Sequence, residues 1–334
     1  MIVILKHGVA DDKRDQLVKW FNSQGLGVDV SEGEFQTILG LIGDVLNLDT
    51  DMIESLDIVQ AIRRVTEPYK RCNRKFQPED TVVSAGGVLI GGGNFSIIAG
   101  PSTFENGEQL TELARSAKES GADILTGGSV NHKAATHTIQ EQNLKEIEDL
   151  KIAKKETGMP IAKEIYSVED FEKYEDVDVL IVGGGNMYNY PLLAAIGESD
   201  KPVILKRSIS ARLDEYLMEV EYIMAGGNKN IILCERGIRT FSTDTKATLD
   251  ISAIPLLKEK SHLPVIADVS RSTGLSRLAR PLSLAATAAG ADGLMMDVHS
   301  DPSQAVRNGA QAVSSDAFAS IVSDINEIRK VLGK

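Results

Sequence analysis

Cysteine is almost missing from this chain. Cys72 and Cys234 are the only two in 334 residues, far apart and without CxxC or Cys/His spacing. Neither a disulfide framework nor a structural zinc site is therefore suggested. Long apolar runs are missing too: none approaches the roughly 20 residues that a membrane helix needs. The opening MIVILKHG is too short for a signal peptide, so a soluble, cytoplasmic protein with no membrane partner is expected. Positive charge is scarce, with 36 Lys and Arg against 48 Asp and Glu and a net charge of -12. That balance opposes binding to nucleic-acid phosphates. The one basic cluster, YKRCNRKF at 69–76, is flanked by TEP and QPEDT and reads as a solvated linker. What remains is a small molecule as the expected ligand.

Against these absences stands a 42% hydrophobic content, enough for an extensive core. Residues 1–68 have a pattern of their own. MIVILK, GVDVS, QTILGLIG and VQAIRRV read as strands, and DDKRDQLVKWFNSQG and DTDMIESL as helices. The order βαββαβ is that of a ferredoxin-like unit, a type that more often binds effectors or partners than performs chemistry. Residues 69–94 read as a linker, bracketed by Pro68 and Pro78, followed by a two-stranded turn element at GGVLIGGG, 86–93. From residue 95 to 334, eight short apolar runs alternate with helical segments: FSIIAG, ADILTG, PIAKEI, DVLIVGGG, PVILKRS, IILCERG, PVIADVS and DGLMMDVH. Eight strands each followed by a helix predict an α/β fold, a (β/α)8 TIM barrel.

In such a barrel ligands bind at the carboxyl ends of the strands, where the following loops converge. The predicted pocket residues are therefore Ser102, Glu164, Gly185, Glu235, Asp268 and Asp297. Side chains alternate along a strand, so Lys206-Arg207 and Glu235-Arg236 each send one member inward. Lys206 and Arg236 then form a clamp for a phosphate or carboxylate, Arg as a fixed fork and Lys as a mobile charge. The structural alternative pairs them with Glu164, Glu235 or Asp268. Lys206 has a second candidate role, Schiff-base formation, if burial removes its proton. His132, His137, Lys163 and His299 are candidates for proton transfer, His299 together with Asp297. VGGGN at 182–186 lacks the GxGxxG spacing of a dinucleotide site, so its glycines are read as allowing close backbone approach. Ser102 has no evident His and Asp partners to make it a nucleophile.

Several of these segments are similar to the type Iβ class of 3-deoxy-D-arabino-heptulosonate 7-phosphate (DAHP) synthases, along the whole chain. They are IGD at 42–44, F-PEDT at 76–81, IIAGP at 97–101, KPVILKR at 201–207, IILCERGIRTF at 231–241, TLDISAIPLLKEKSHLPVI at 248–266 and VH at 298–299. The resemblance implies condensation of phosphoenolpyruvate with erythrose 4-phosphate on a divalent metal held by Cys, His, Glu and Asp. It also implies a homo-oligomer, with the first 68 residues as a site for aromatic amino acid feedback. At the four metal positions this chain has Ser102, Arg271, Asp297 and Asn308. At the substrate loop it has Asn131, Lys133, Ala134 and Ala135 in NHKAA where the family has KPRTS, and Thr126 and Gly185 stand where the family has arginines. Lys206 and Arg236 match cations that hold phosphoenolpyruvate. A guanidinium among metal ligands repels a metal, so no metal and no other cofactor is expected. Lys133, Arg271, Lys206 and Arg236 are the expected anion-binding set. Three readings follow: a metal-free enzyme acting on another anionic acid, a non-catalytic metabolite-binding or regulatory paralogue, and an unusual metal-independent DAHP synthase.

Overall fold

The computed structural model describes residues 1–33, 36–45, 48–64, 67–104, 106–128 and 136–333, with the side chains of 136–141 outside that description. Two compact units emerge. The first comprises Met1–Asp80 with Glu259–His262, and the second Thr81–Lys258 with Leu263–Lys334.

The first unit follows the βαββαβ order. Strands β1 (Ile2–Leu5), β2 (Gly27–Glu32), β3 (Thr37–Ile42) and β4 (Val59–Arg63) form one sheet in the order β2-β3-β1-β4, with helices at Asp11–Ser23 and Thr50–Glu54. Alternation in MIVIL divides the strand between two faces. Val3 and Leu5 join Leu17, Phe21 and Ile53 in the helix-covered core, while Ile2 and Ile4 pack with Ile38 and Phe76 on the other face. Gly40 in β3 is where the Phe76 ring lies, and no Cβ fits there. Asp49 starts the second helix by accepting the Met52 N–H at 3.0 Å, the role of a side-chain N-cap.

The second unit is a TIM-type barrel. Strands β5 (Val83–Ala85) and β6 (Val88–Ile90) pair as a hairpin. The barrel strands are β7 (Ser96–Gly100), β8 (Ile124–Thr126), β9 (Ile161–Glu164), β10 (Val179–Val182), β11 (Val203–Lys206), β12 (Ile231–Glu235), β13 (Val265–Asp268) and β14 (Gly293–Asp297). All neighbours are parallel, and β14 closes on β7 with Gly293 opposite Ser96 and Asp297 opposite Gly100. The strands are almost wholly buried, which is why they read as continuous apolar runs. No helix among the described residues is long and apolar enough to cross a membrane.

The hairpin lies earlier than GGVLIGGG suggests. Its turn is Gly86-Gly87, both at positive φ (61° and 92°), the backbone a two-residue hairpin loop demands. VSA before that turn supplies the first strand. Val83, Ala85 and Ile90 join Ile98, Ile181, Ile204 and Ile266 inside the barrel. Gly86 abuts Pro160 and Asp178, and Gly91 abuts Pro264, residues that immediately precede β9, β10 and β13. The hairpin therefore plugs the amino-terminal end and leaves the carboxyl ends as the mouth. Two further departures concern the connections. A 3-10 helix (Val168–Tyr174) follows β9, and a short helix (Val269–Thr273) intervenes after β13 before Ala279–Ala288. The first is too short for a hydrophobic period to mark it. The second is set by a cap rather than by any apolar stripe.

Because Ile90 is fully buried in the plug, Ile90→Ala should lower unfolding free energy by about 2–5 kcal/mol in urea titration. A value below about 1 kcal/mol would mean that the hairpin does not seal the barrel.

Candidate functional site

Alternation at the strand ends sorts the charged pairs. Arg207 turns into the wall, donating to Glu235 at 2.9 Å, Asp250 at 3.1 Å and the Ala211 carbonyl at 2.9 Å. Glu235 is fully buried there and also accepts the Gly237 N–H at 2.6 Å. It is consequently a wall residue and not, as the strand-end position suggested, a pocket residue. Lys206 and Arg236, the other members of the two pairs, face a cavity of ≈ 280 Å³ with Glu164, Tyr166, Gly183, Gly184, Gly185, Asn186 and Arg271. A second, ≈ 20 Å³ space shares Glu164, Lys206 and Arg271 and adds Ser102, Thr126 and Asp297.

Lys206 is both a lining residue and half of an ion pair. Its Nζ donates to Asp268 Oδ2 at 2.7 Å, and both side chains are nearly sealed from solvent. Burial works to lower the ammonium pKa, but Asp268, Cys234 and Glu164 together outweigh it and the net shift is upward. Asp268 is held below its usual range, with Lys206 and Arg271 overcoming the burial that would raise it. The lysine therefore stays protonated at neutral pH, which opposes the Schiff-base role. Asp268 Oδ1 accepts the Arg271 N–H at 2.9 Å and caps the Val269–Thr273 turn. This cap carries Arg271 to the cavity. Burial opposes the Arg271 charge, yet Asp297, Glu164 and Asp268 raise its pKa beyond the ordinary value. Among the described residues neither Arg236 nor Arg271 has a side-chain hydrogen bond or ion pair, so both guanidinia keep donors for a ligand.

Lys163 is not a lining residue. It is wholly buried, donates to Glu146 in the helix Thr136–Thr157, and donates to the Gly127 and Gly128 carbonyls at 3.2 Å each. Three acceptors saturate its three N–H groups. Gly128, at φ 71°, is required because a Cβ there would strike the Glu146 carboxylate and the Lys163 ammonium. Burial pushes the Lys163 pKa down while Glu146 pushes it up, with a net lowering. His299 is buried and lines neither cavity, its Nδ1 accepting the Asp301 N–H at 3.1 Å. The Asp297–His299 pairing does not form among the described residues. His132 and Lys133, with Asn131, Ala134 and Ala135, lie outside the described residues, as does the His137 side chain.

The residues at the family's metal positions do not assemble a metal site. Ser102 Oγ and Gln311 Nε2 both donate to Asp297 Oδ2, and Lys246 donates to Gln311 Oε1 at 2.8 Å. Asn308 adopts a left-handed backbone (φ 61°) that turns the chain so that Gln311 reaches Asp297. Among the described residues no three His, Cys, Asp or Glu side chains converge as ligands. Burial also pushes the Cys234 thiol far up, so no thiolate is supplied from the core. Of the groups present, only the Asp297 carboxylate is a good ligand; a hydroxyl, a guanidinium and amides beside it are a poor set for a transition ion.

The glycine run separates by contact. At Gly183 a Cβ would collide with Glu164 Oε1, and at Gly184 it would approach the Arg207 carbonyl oxygen within 2.8 Å, whereas Gly185 has open space. Close approach thus explains two of the three, and the third is a vacancy on the cavity wall. Sequence reasoning missed Tyr166, Asn186, Lys246 and Gln311. The first two stand a residue or two past flagged strand ends, which was the available signal. Lys246 sits in the long connection after β12 and Gln311 ends a three-residue 3-10 helix (Gly309–Gln311), and neither carries a signal.

The DAHP synthetase I family is matched over residues 75–332, and the DAHP synthase ferredoxin-like domain over 1–67. A phospho-2-dehydro-3-deoxyheptonate aldolase from Thermotoga maritima is 40% identical over 334 residues, covering 100% of this chain and 99% of that protein. A 2-dehydro-3-deoxyphosphooctonate aldolase from Geobacter sp. is 27% identical over 275 residues, 75% of this chain and 98% of that protein. A Thermotoga maritima crystal structure of the heptonate aldolase superposes with a TM-score of 0.78 at 40% identity, over 99% of this chain and 97% of that one.

The Lys163–Glu146 pair makes a prediction of its own. Lys163→Met should leave a buried carboxylate unpaired and cost about 3–5 kcal/mol, while Lys163→Met with Glu146→Leu should recover most of that loss. Chemical denaturation of the two variants checks it, and equal loss in both would show that the pair's charge does not matter.

Proposed function

The chain belongs to the DAHP synthetase I family, and on that premise we propose that its barrel mouth binds and transforms an anionic phosphorylated or keto acid without a divalent metal. The observation that carries this reading is the lining of one cavity by Lys206, Arg236 and Arg271, with both guanidinia free of protein hydrogen bonds among the described residues. Arg236 and Lys206 receive the acid's phosphate or carboxylate, and Arg271 receives a second oxygen. Charge-assisted contacts of this kind contribute about 1.5–3 kcal/mol each. Lys163, saturated by three acceptors, is a positioning residue rather than a proton-transfer group. Glu164, whose carboxylate borders both cavities, takes over that task among the described residues. The vacancy at Gly185 removes a cation that the family resemblance places there and widens the cavity for a different acid.

A second reading is the condensation of phosphoenolpyruvate with erythrose 4-phosphate that the family resemblance implies. Identity of 40% over the whole chain favours it. A third, ligand binding without turnover, is favoured by the neutral replacements at Thr126 and Gly185.

One assay separates the three. Phosphate release from phosphoenolpyruvate and erythrose 4-phosphate is followed after chelation and again with added manganese, alongside calorimetric binding of phosphoenolpyruvate. The expected result is binding without phosphate release in either condition. Arg236→Met should weaken that binding about ten- to a hundredfold. Phosphate release that needs manganese would overturn the metal-free reading in favour of the second. Binding with no turnover of any anionic acid in a panel of phosphorylated and keto acids would leave the third.

A further inference from the structure

We propose that Arg271 is the resident cation of the barrel mouth, a guanidinium tethered through its own backbone that supplies the charge for which the family resemblance implies a divalent ion. The inference rests on the metal-free reading above and adds the reason for it.

Charge balance is the first argument. Three carboxylates, Glu164, Asp268 and Asp297, and four cations, Lys206, Arg236, Arg271 and Lys246, gather at the barrel mouth, Lys246 acting on the group from behind Gln311. Three negative and four positive charges sum to +1. A buried cluster tolerates little net charge, because solvent no longer compensates it. A divalent ion added to this set would raise it to +3 beside a fixed guanidinium. Without Arg271 the same set is neutral and loses the fixed charge that repels an ion.

The second argument is attachment. The Arg271 N–H is held by Asp268 Oδ1 at 2.9 Å, and the Gly274 N–H closes the same turn on the Ser270 carbonyl at 3.0 Å. The root of the side chain is therefore set relative to one of the carboxylates it balances, and unlike an ion it cannot be exchanged. The third argument is open valence. Arg271 borders both cavities, and its guanidinium makes no hydrogen bond among the described residues. It offers N–H groups to a ligand oxygen where a bound metal would offer a coordination position. Asp297 Oδ2 meanwhile accepts from Ser102 and Gln311 while Arg271 is in place.

The test uses the full chain, dialysed against chelator and then titrated with MnCl2. Melting temperature is followed by scanning calorimetry, and metal content is measured after redialysis, for the wild type, Arg271→Met and Arg271→Lys. The wild type should retain no manganese and show no change in Tm. Arg271→Met should be less stable and gain a chelator-reversible rise of about 2–4 °C with manganese. Arg271→Lys, which keeps the charge, should stay insensitive. Stoichiometric manganese on the wild type, or a folded Arg271→Met protein indifferent to manganese, would overturn the proposal. If Arg271→Met does not fold, the wild type and Arg271→Lys still decide it, since manganese retained by either overturns it. The readout is bound metal and not turnover, so a wrong substrate class leaves this result unaffected.

Discussion

One carboxylate holds the barrel mouth together. Asp268 accepts the Lys206 ammonium on one oxygen and the Arg271 backbone N–H on the other, tying β11, β13 and the turn after β13 to a single buried charge. The pair keeps Lys206 protonated despite its burial. The cap decides where the Arg271 side chain starts. Two of the three cations that line the cavity thus depend on one residue, and an apolar side chain in place of Asp268 would strand an ammonium and remove the cap that sets Arg271.

Around that centre the wall and the pocket use different ion pairs for different ends. Arg207 and Glu235 satisfy each other with Asp250 and the Ala211 carbonyl, and Lys163 is saturated by Glu146 and two carbonyls. Buried pairs of this kind stabilise little overall, yet they are costly to break, so they hold loops in register. Arg236 and Arg271 are left without such partners among the described residues and face space. The contrast between saturated and unsaturated cations marks the ligand site more sharply than residue type does. The family assignment rests on the scaffold, within which Ser102 and Gln311 both donate to Asp297.

The strand count, the ferredoxin-like unit and the inward members of the Lys206-Arg207 and Glu235-Arg236 pairs were legible because each rests on a local period. Burial on both faces makes barrel strands continuous apolar runs, and alternation assigns neighbours to opposite sides. The hairpin was misplaced by a few residues because its first strand, VSA, is only three residues long, too short for a period to register. Lys163 stood as a proton-transfer candidate because its partner, Glu146, sits on the helix before its own strand, and nothing local links them. Gln311 was missed for the same reason: it reaches Asp297 only through the left-handed turn at Asn308.

By itself, then, the sequence determined the architecture and the end of the barrel at which the strand-following loops converge. Those are properties of residue identity and short-range spacing. Only the tertiary structure decided which charges neutralise each other and which remain open to a ligand. Pairing depends on a few ångströms between groups far apart in the chain, such as the 62 residues separating Lys206 from Asp268, and no local pattern encodes that distance.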